Sequence, residues 1–575
     1  MIIIGINSYH NGSSAALVID GQLKACLAEE RLNRKKNSSK FPLQAINKIL
    51  ATFNLKKENV DFYCQNTSAK FLTLEKILFC VKNFIHFKSS FLNILNYITQ
   101  FKKKINHPFY NDIPSKKIIY IDHHLCHLES SFLISPFEES VSLSLDGSGD
   151  FKTGSFGFSE NSRTRVDGNF FYPHSLGLFY QALTQFIGFK NVGEEYKMMG
   201  LSAYGSKNLA MKSNLEKIIN YKDLNISLNL KMFSFPFQDT KIIKGEEITF
   251  KNLFSDSMQD ALNIRARDQF IFSKEVADIA FAVQEVYEEI FIKILNDLHL
   301  KYSNNNLCFS GGCALNSKAN GKIKKNTKFQ NIFICSEPGD AGGALGAALS
   351  HYFRVSGNKK FYQPNPYLGV ENVSNSLETD LQNYIRTNKI KSYKFKSNSE
   401  MFDKTADLLA NNNVIGWFQD RMEFGPRALG NRSILMNPQN KDAKNILNLK
   451  IKLRESYRPF APSIMEEHLH EWFEDAHSSP YMNFVFTIKK EKRQIIPAVC
   501  HEDNTGRVQT VNAKDNQKFY GLIHSFYIKT GVPLLINTSF NENEPIVFEP
   551  KDAIETFLKT KIDYLVLQDC LISKI

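Results

Sequence analysis

Three times before residue 320, a short apolar stretch runs into a glycine turn. IIIGIN precedes Gly12 of NGSSAAL, SVSLSL precedes Gly147 of LDGSGD, and NNLCFS precedes Gly311 and Gly312 of FSGGCALNSKAN, which also carries Asn316. Short apolar runs bounded by glycine read as strands. Glycine at their ends lets backbone N–H groups approach a phosphate. One such turn resembles any strand end, but three in this order point to a phosphate-binding α/β architecture.

The intervening sequence supports that class. SAALVI, Asp20-Gly21 and LKACLAEE read as a hairpin after the first strand. Ser273 is placed to cap a long helix whose stripe of Val276, Ile279, Ala280, Val283, Val286, Tyr287 and Ile290 has helical spacing and reads as core. NIFIC and PGDAGGALGAAL continue the alternation of strand, glycine turn and helix. Between about Val355 and Pro366 the chain turns polar and loses periodicity, which predicts a first domain over 1–355, a linker over 356–366 and a second α/β domain over 367–575. VIGWF and GVPLLIN are strands of that second domain, and a helix opens after Pro550. Two domains also suit 575 residues, too many for one compact core.

The net charge of +12 attracts anions from nucleotides to nucleic acid without choosing among them. Nine cysteines scattered without a CxxC pair suggest neither a disulfide framework nor a thiolate zinc site, and a reducing cytoplasm fits them. No export signal is read at the N-terminus. Glu75, Lys82, His86 and Lys88 interrupt the apolar stretch from Phe71 to Phe101, so it is not read as a spanning helix. A buried amphipathic helix ending in Lys102, Lys103 and Lys104 is the expectation, with membrane-surface binding as the alternative. The segments 53–117 and 205–254 carry weak motif content and are candidates for insertions or for recognition surfaces.

Three constellations carry chemistry. In DHHLCHLESSF, His123 and His127 are four apart and share one face of a helix, a spacing that suits a metal but also two surface histidines. Asp146 and Asp340 stand in glycine turns. They are either turn formers or carboxylates facing a ligand, and nitrogen plus carboxylate donors without thiolate suit iron or another divalent ion that accepts imidazole. In the second domain, Arg421, Arg427, Arg432, Lys452, Arg454, Arg458 and Arg507 sit among apolar neighbours. Guanidinium groups in such settings either pair with acids such as Glu423 and Glu455 or await an anion whose geometry they match.

AEERLNRKK, DHHLCH, LDGSGD, GEEYKMMGLSAYG, FSGGCALN, EPGDAGGALGAA, RMEFGPRALGNRSIL, RPFAPSI, RVQTV and GVPLLINTSFNENEPIV together resemble the O-carbamoyltransferase family of NodU, CmcH and TobZ. The glycine turns match the phosphate and adenosine segments of the actin, sugar kinase and heat-shock ATPase fold. The resemblance implies a duplicated actin-like first domain, similar to the catalytic subunit of the tRNA threonylcarbamoyl machinery (TsaD), and a YrdC-like second domain. It implies His123, His127, Asp146 and Asp340 as ligands of iron(II) or another divalent metal. It also implies Lys36, Gly147, Gly311, Gly312 and Asn316 at ATP, which enters with Mg as co-substrate.

Carbamoyl phosphate is then expected at Arg427, Lys452, Arg458 and Arg507, with Lys452 and Arg458 acting in catalysis. His10 of SYHNGSSAAL matches a histidine near the acceptor and is the expected general base, so transfer should fall below about pH 6.5. Two departures stand out: Leu128-Glu129 replaces the usual pair of alanines, which puts local packing in question, and Asn11 stands where Asp is common. The implied reaction carbamoylates a hydroxyl of a small acceptor, a sugar or natural product, through carbamoyl adenylate, with no nucleic-acid partner and a homodimer as the default assembly. The rival readings are tRNA threonylcarbamoyl transfer, which fold and charge favour, and a non-catalytic ATP- or nucleic-acid-binding relative. Against them stand RMEFGPRALGNRSIL and LINTSFN, which belong to the carbamoyltransferase branch, and the retention of every ligand position.

Overall fold

The computed structural model describes residues 1–68, 106–236, 241–244, 247–370, 375–387 and 389–575. They form two compact units, Met1–Pro364 and Asn365–Ile575. The stretch from Phe71 to Phe101 and Lys102–Lys104 lies outside the described residues, as do parts of the segments 53–117 and 205–254. Among the described residues no helix is long and apolar enough to cross a membrane.

In the first unit, β1 (Ile2–Asn7), β2 (Ser14–Ile19), β3 (Gln22–Ala28), β4 (Phe62–Asn66) and β5 (Ile118–Ile121) form one sheet in the order β3-β2-β1-β4-β5. The Asp20-Gly21 turn has φ of 48° and 81°, the left-handed pair a tight hairpin between twisted strands requires. β6 (Ser140–Gly149), β7 (Lys152–Glu160) and β8 (Arg163–Phe171) begin a second sheet. β9 (Ile219–Lys222) with β10 (Asn225–Leu228), and β11 (Lys241–Lys244) with β12 (Glu247–Phe250), are separate small hairpins. β13 (Asn306–Ser310) and β14 (Asn331–Phe333) complete the second sheet in the order β14-β13-β6-β7-β8.

Each sheet is an antiparallel three-stranded meander whose first strand is flanked by two later parallel strands. The same connectivity occurs twice, which is the duplicated α/β fold expected from the sequence. The long helix runs Lys274–Tyr302, and the Ser273 hydroxyl accepts the Val276 N–H at 3.2 Å as its cap. Its whole predicted stripe is buried. Truncating Phe291 at its centre, fully buried, would cost about 3–5 kcal/mol.

The helix Gly343–Ser356 passes close to the helix His123–Phe132. A Cβ on Gly346 would lie 2.0 Å from the Cys126 carbonyl oxygen, so only glycine permits this approach.

Among the described residues, the second unit holds nine strands: β15 (Ile390–Lys394), β16 (Ile415–Phe418), β17 (Arg432–Met436), β18 (Ala461–Met465), β19 (Phe484–Thr487), β20 (Thr505–Val511), β21 (Leu534–Ser539), β22 (Tyr564–Leu567) and β23 (Cys570–Lys574). They form one mixed sheet in the order β15-β23-β22-β16-β17-β21-β18-β20-β19. The pairs β16/β22 and β18/β20 are parallel. Helices Asn398–Ala410 and Gln517–Thr530 meet closely enough that a Cβ on Gly521 would lie 2.4 Å from the Phe402 ring. The helix after Pro550 runs to Lys559, and Asp552 Oδ2 accepts the Glu549 N–H at 2.9 Å across its first turn.

Candidate metal centre and cation cluster

Asp122 decides where the first helix of the site begins. Its Oδ1 accepts the N–H groups of His124 and Leu125 at 3.1 and 3.2 Å, so His123 becomes the first helical residue and His127 lies one turn on. Both imidazoles are fully buried, with Nε2 atoms 3.1 Å apart. Asp146 lies at the end of the apolar part of β6, where the ladder to β7 shifts register. The Gly312 N–H holds its Oδ1 at 2.9 Å, and its Oδ2 faces His123 Nε2 at 3.7 Å and His127 Nε2 at 3.9 Å. Asp340 opens the turn before the helix Gly343–Ser356. Its Oδ1 is buried without a hydrogen bond, 3.4 Å from His123 Nε2 and 3.3 Å from His127 Nε2.

One donor atom from each of the four residues lies within 4.8 Å of every other. Metal–donor bonds of about 2.0–2.2 Å put neighbouring donors roughly 3–4 Å apart, so the quartet fits a divalent ion, with two nitrogen and two oxygen ligands and no thiolate. Burial opposes charge on His123, but the Asp146 and Asp340 carboxylates outweigh it and push the imidazole up to about 10. Burial also opposes charge on Asp340, and the two imidazoles hold it well below the usual carboxylate range. His124, between the ligands in sequence, bonds Ser144 Oγ through Nδ1 at 3.0 Å. Burial, then the charges of His123 and His127, push it down to about 3, so it remains neutral.

His10 lies beside this quartet, its ring edge-on to His123 with centroids 4.4 Å apart. Asn7 fixes its tautomer. The Asn7 amide donates to the Gly12 carbonyl at 3.1 Å while its Oδ1 accepts Asn66 Nδ2 at 3.1 Å and lies 3.2 Å from His10 Nδ1. Nδ1 therefore carries the proton and Nε2 is the acceptor nitrogen, the form a general base needs.

Around the expected nucleotide residues, Gly311 adopts φ 86° and its N–H donates to the Pro338 carbonyl, while the Gly312 N–H is committed to Asp146. Gly147 follows Asp146 in the same turn. Asn316 pairs side chain to side chain with Gln284 at 3.0 and 3.1 Å and caps the turn Ser317–Asn320. Lys36 is exposed in the loop before the helix Leu43–Thr52.

Two carboxyls near this centre escaped the sequence reading. Burial raises Glu195 to about 7, with Glu194 and Asp146 adding to it; burial likewise raises Glu337 to about 7, although the Gly339 N–H donates to it at 3.1 Å. Both lie inside glycine-bearing motifs but have no spacing that would have singled them out. The unusual Glu129 has a plain account: it is fully buried and receives both Arg354 Nη atoms at 2.7 and 2.6 Å and the Thr164 N–H at 2.9 Å. The departure at this position is thus met by an ion pair with Arg354.

In the second unit the expected cations divide into two groups. Arg421 donates to the carbonyls of Gly369 and Leu368 at 2.6 and 3.1 Å. Arg432 donates to those of Gln419, Asn431 and Asp420 at 2.5–3.0 Å and lies over the Phe418 ring. For these two the hydrogen bonds go to backbone carbonyls rather than to acids, although the Arg432 Nε remains buried without one.

Arg507 differs in its neighbours: its Nε, like that of Arg432, is buried without a hydrogen bond, but burial followed by the like charges of Arg427, Arg454 and Arg458 pushes it well below the usual arginine range. Arg458 Nη1 lies 3.4 Å from Glu455. Lys452 is buried and donates to Ser539 and to both oxygens of Asn541, at 2.8 Å for the carbonyl and 2.7 Å for Oδ1. Asn448, overlooked in the sequence, organises this loop by accepting Arg454 Nε at 2.7 Å and donating to the carbonyls of Ser456 and Arg458 at 3.2 and 3.0 Å.

The first α/β unit thus gathers a histidine and carboxylate quartet that could hold a divalent ion, and the second α/β unit gathers arginines of like charge. The model of the carbamoyltransferase N-terminus matches residues 2–349 and that of the C-terminus residues 406–574, so the chain belongs to the carbamoyltransferase family. An uncharacterised protein of Synechocystis is 35% identical over 100% of this chain and 96% of its own length. Nodulation protein NolNO of Sinorhizobium fredii is 32% identical over 99% of this chain and 80% of its own. Nodulation protein NolO of Bradyrhizobium diazoefficiens is 35% identical over 79% of each.

Proposed function

We propose that this carbamoyltransferase moves the carbamoyl group of carbamoyl phosphate, through carbamoyl adenylate made from ATP, to a hydroxyl of a small acceptor such as a sugar or natural product. The observation that carries this reading is the edge-on placement of His10, with Nε2 as acceptor, against the metal quartet. In the second unit Arg507, with Arg427, Arg454 and Arg458, holds carbamoyl phosphate. Water releases phosphate, and the carbamate formed attacks the α-phosphorus of ATP and expels pyrophosphate. The arginines stabilise the charge that develops. Lys452 acts there through the loop 539–541 that it anchors.

In the first unit His123, His127, Asp146 and Asp340 would hold iron(II) or another divalent ion, which supplies Lewis acidity toward the carbonyl when bound. His10 Nε2 takes the proton of the acceptor hydroxyl as its oxygen bonds to the carbamoyl carbon, and AMP departs. Lys36, Gly147, Gly311, Gly312 and Asn316 line the approach of the nucleotide in this reading.

The test supplies labelled carbamoyl phosphate, ATP, Mg and iron(II) with a panel of hydroxylated acceptors. Label in the acceptor with one AMP per transfer is expected, and His10→Ala should lower transfer by about 100-fold or more. Turnover of ATP that is indifferent to carbamoyl phosphate would refute the reading.

A further inference from the structure

The turn that carries Asp146 ends four residues later in Asp150, an acid the mechanism above does not use. Asp150 has φ 50°, a left-handed conformation that Asp tolerates better than most residues. Gly149, just before it, leaves the room that His123 occupies: a Cβ there would lie 2.1 Å from the imidazole. Asp150 accepts from donors on two separate elements. Its Oδ1 accepts the Thr67 hydroxyl at 3.0 Å, and its Oδ2 accepts the Ser68 N–H at 2.6 Å and the His123 N–H at 3.0 Å. Thr67 and Ser68 directly follow β4 of the first sheet, while Asp150 belongs to the β6–β7 turn of the second. One carboxylate thus ties the end of β4, the β6–β7 turn and the backbone of the first metal-ligand residue together.

We propose that Asp150 is a positioning residue for the metal: it fixes the backbone of His123, and so its Nε2, against Asp146 and Asp340. The carboxylate accepts these three bonds with its charge, which makes each stronger; an asparagine could keep the same partners only with its oxygen at the Oδ2 place and its NH2 donating to the Thr67 hydroxyl, and without that charge. Ligand orientation of this kind commonly sets metal affinity. The inference rests on the proposed use of the quartet as a metal site, though not on the identity of the acyl donor.

The test measures iron(II) and zinc(II) affinity of the full chain by chelator competition, together with the thermal midpoint, for the parent, Asp150→Asn, Asp150→Glu and Thr67→Val. Asp150→Asn should weaken both metals by about 10–100-fold. Thr67→Val, which removes one donor and leaves the carboxylate, should show a smaller loss of the same sign, and Asp150→Glu should recover part of what Asn loses. The proposal is overturned if the variants lower the midpoint while binding metal as the parent does. A parent that binds neither metal overturns it as well, whereas a parent that binds metal but fails to transfer carbamoyl groups removes the proposed reaction and leaves the role of Asp150 standing.

Discussion

The two units solve opposite electrostatic problems. In the first, opposite chemistries converge: two imidazoles face two carboxylates across 3.3–3.9 Å, and the carboxylates raise His123. In the second, like charges converge: Arg427, Arg454 and Arg458 press on the buried Arg507 and depress it. Carbonyl dipoles quiet Arg421 and Arg432 in the same unit, so the crowding at Arg507 is not a general feature of its arginines. A protein gains nothing from stacking guanidinium groups unless an anion offsets the repulsion. On the proposed function, the first site would exchange a proton for a metal, and the second would gain stability from an anion.

The largest expected effect comes from cutting the first site alone. Asp340→Asn should abolish metal binding and lower carbamoyl transfer by about 1,000-fold, the several kcal/mol a Lewis acid contributes. Pyrophosphate release in the second unit should be spared. If Asp340→Asn bound metal and transferred normally, the quartet would lose its role.

Next, Arg507→Ala should lower carbamoyl-phosphate-dependent pyrophosphate release by about 100-fold. It should also relieve repulsion, so the thermal midpoint without ligand should hold or rise while the stabilisation by added phosphate disappears. A fall in that midpoint would mean that Arg507 is structural and the contrast between the sites is wrong.

A third prediction concerns pH. In the metal-free protein His123 keeps its proton up to about pH 10, and the ion needs the neutral ring. Binding must displace that proton, so metal affinity should rise by about tenfold per pH unit between pH 6 and 9 and level off toward pH 10. Flat affinity over that range, measured by chelator competition, would show that the carboxylates do not raise His123.

The smallest effect lies away from both sites. Arg354→Met should strip the buried Glu129 of its partner and cost about 2 kcal/mol, since Arg354 is itself a third exposed, with metal affinity unchanged. Denaturant unfolding reads it directly.

The members of the quartet carry local signals, two histidines at i and i+4 and two acids in glycine turns, but these left surface histidines and turn formers open, and only the family resemblance joined them into one ligand set; the fold brings their donor atoms within 4.8 Å. The α/β class was legible from strands bounded by glycine, whereas the duplication was implied only by the family resemblance and shows in the shared connectivity of the two sheets. Long-range partners were not legible. Glu129 looked like a packing fault because Arg354 lies 225 residues further on. Arg432 and Arg507 read alike, as arginines among apolar residues, since sequence does not distinguish a guanidinium facing carbonyls from one facing other guanidiniums. Asp150 looked like a turn former until the fold brought the end of β4 and the first helical turn of His123 to the same carboxylate.

The most direct test of two electrostatically opposite, separable sites is pyrophosphate release from ATP, with and without carbamoyl phosphate and without acceptor, for the parent, Asp340→Asn and Arg507→Ala. The account predicts release that depends on carbamoyl phosphate, is retained in Asp340→Asn and is lost in Arg507→Ala. Loss in both variants, or release in the parent that ignores carbamoyl phosphate, would contradict it.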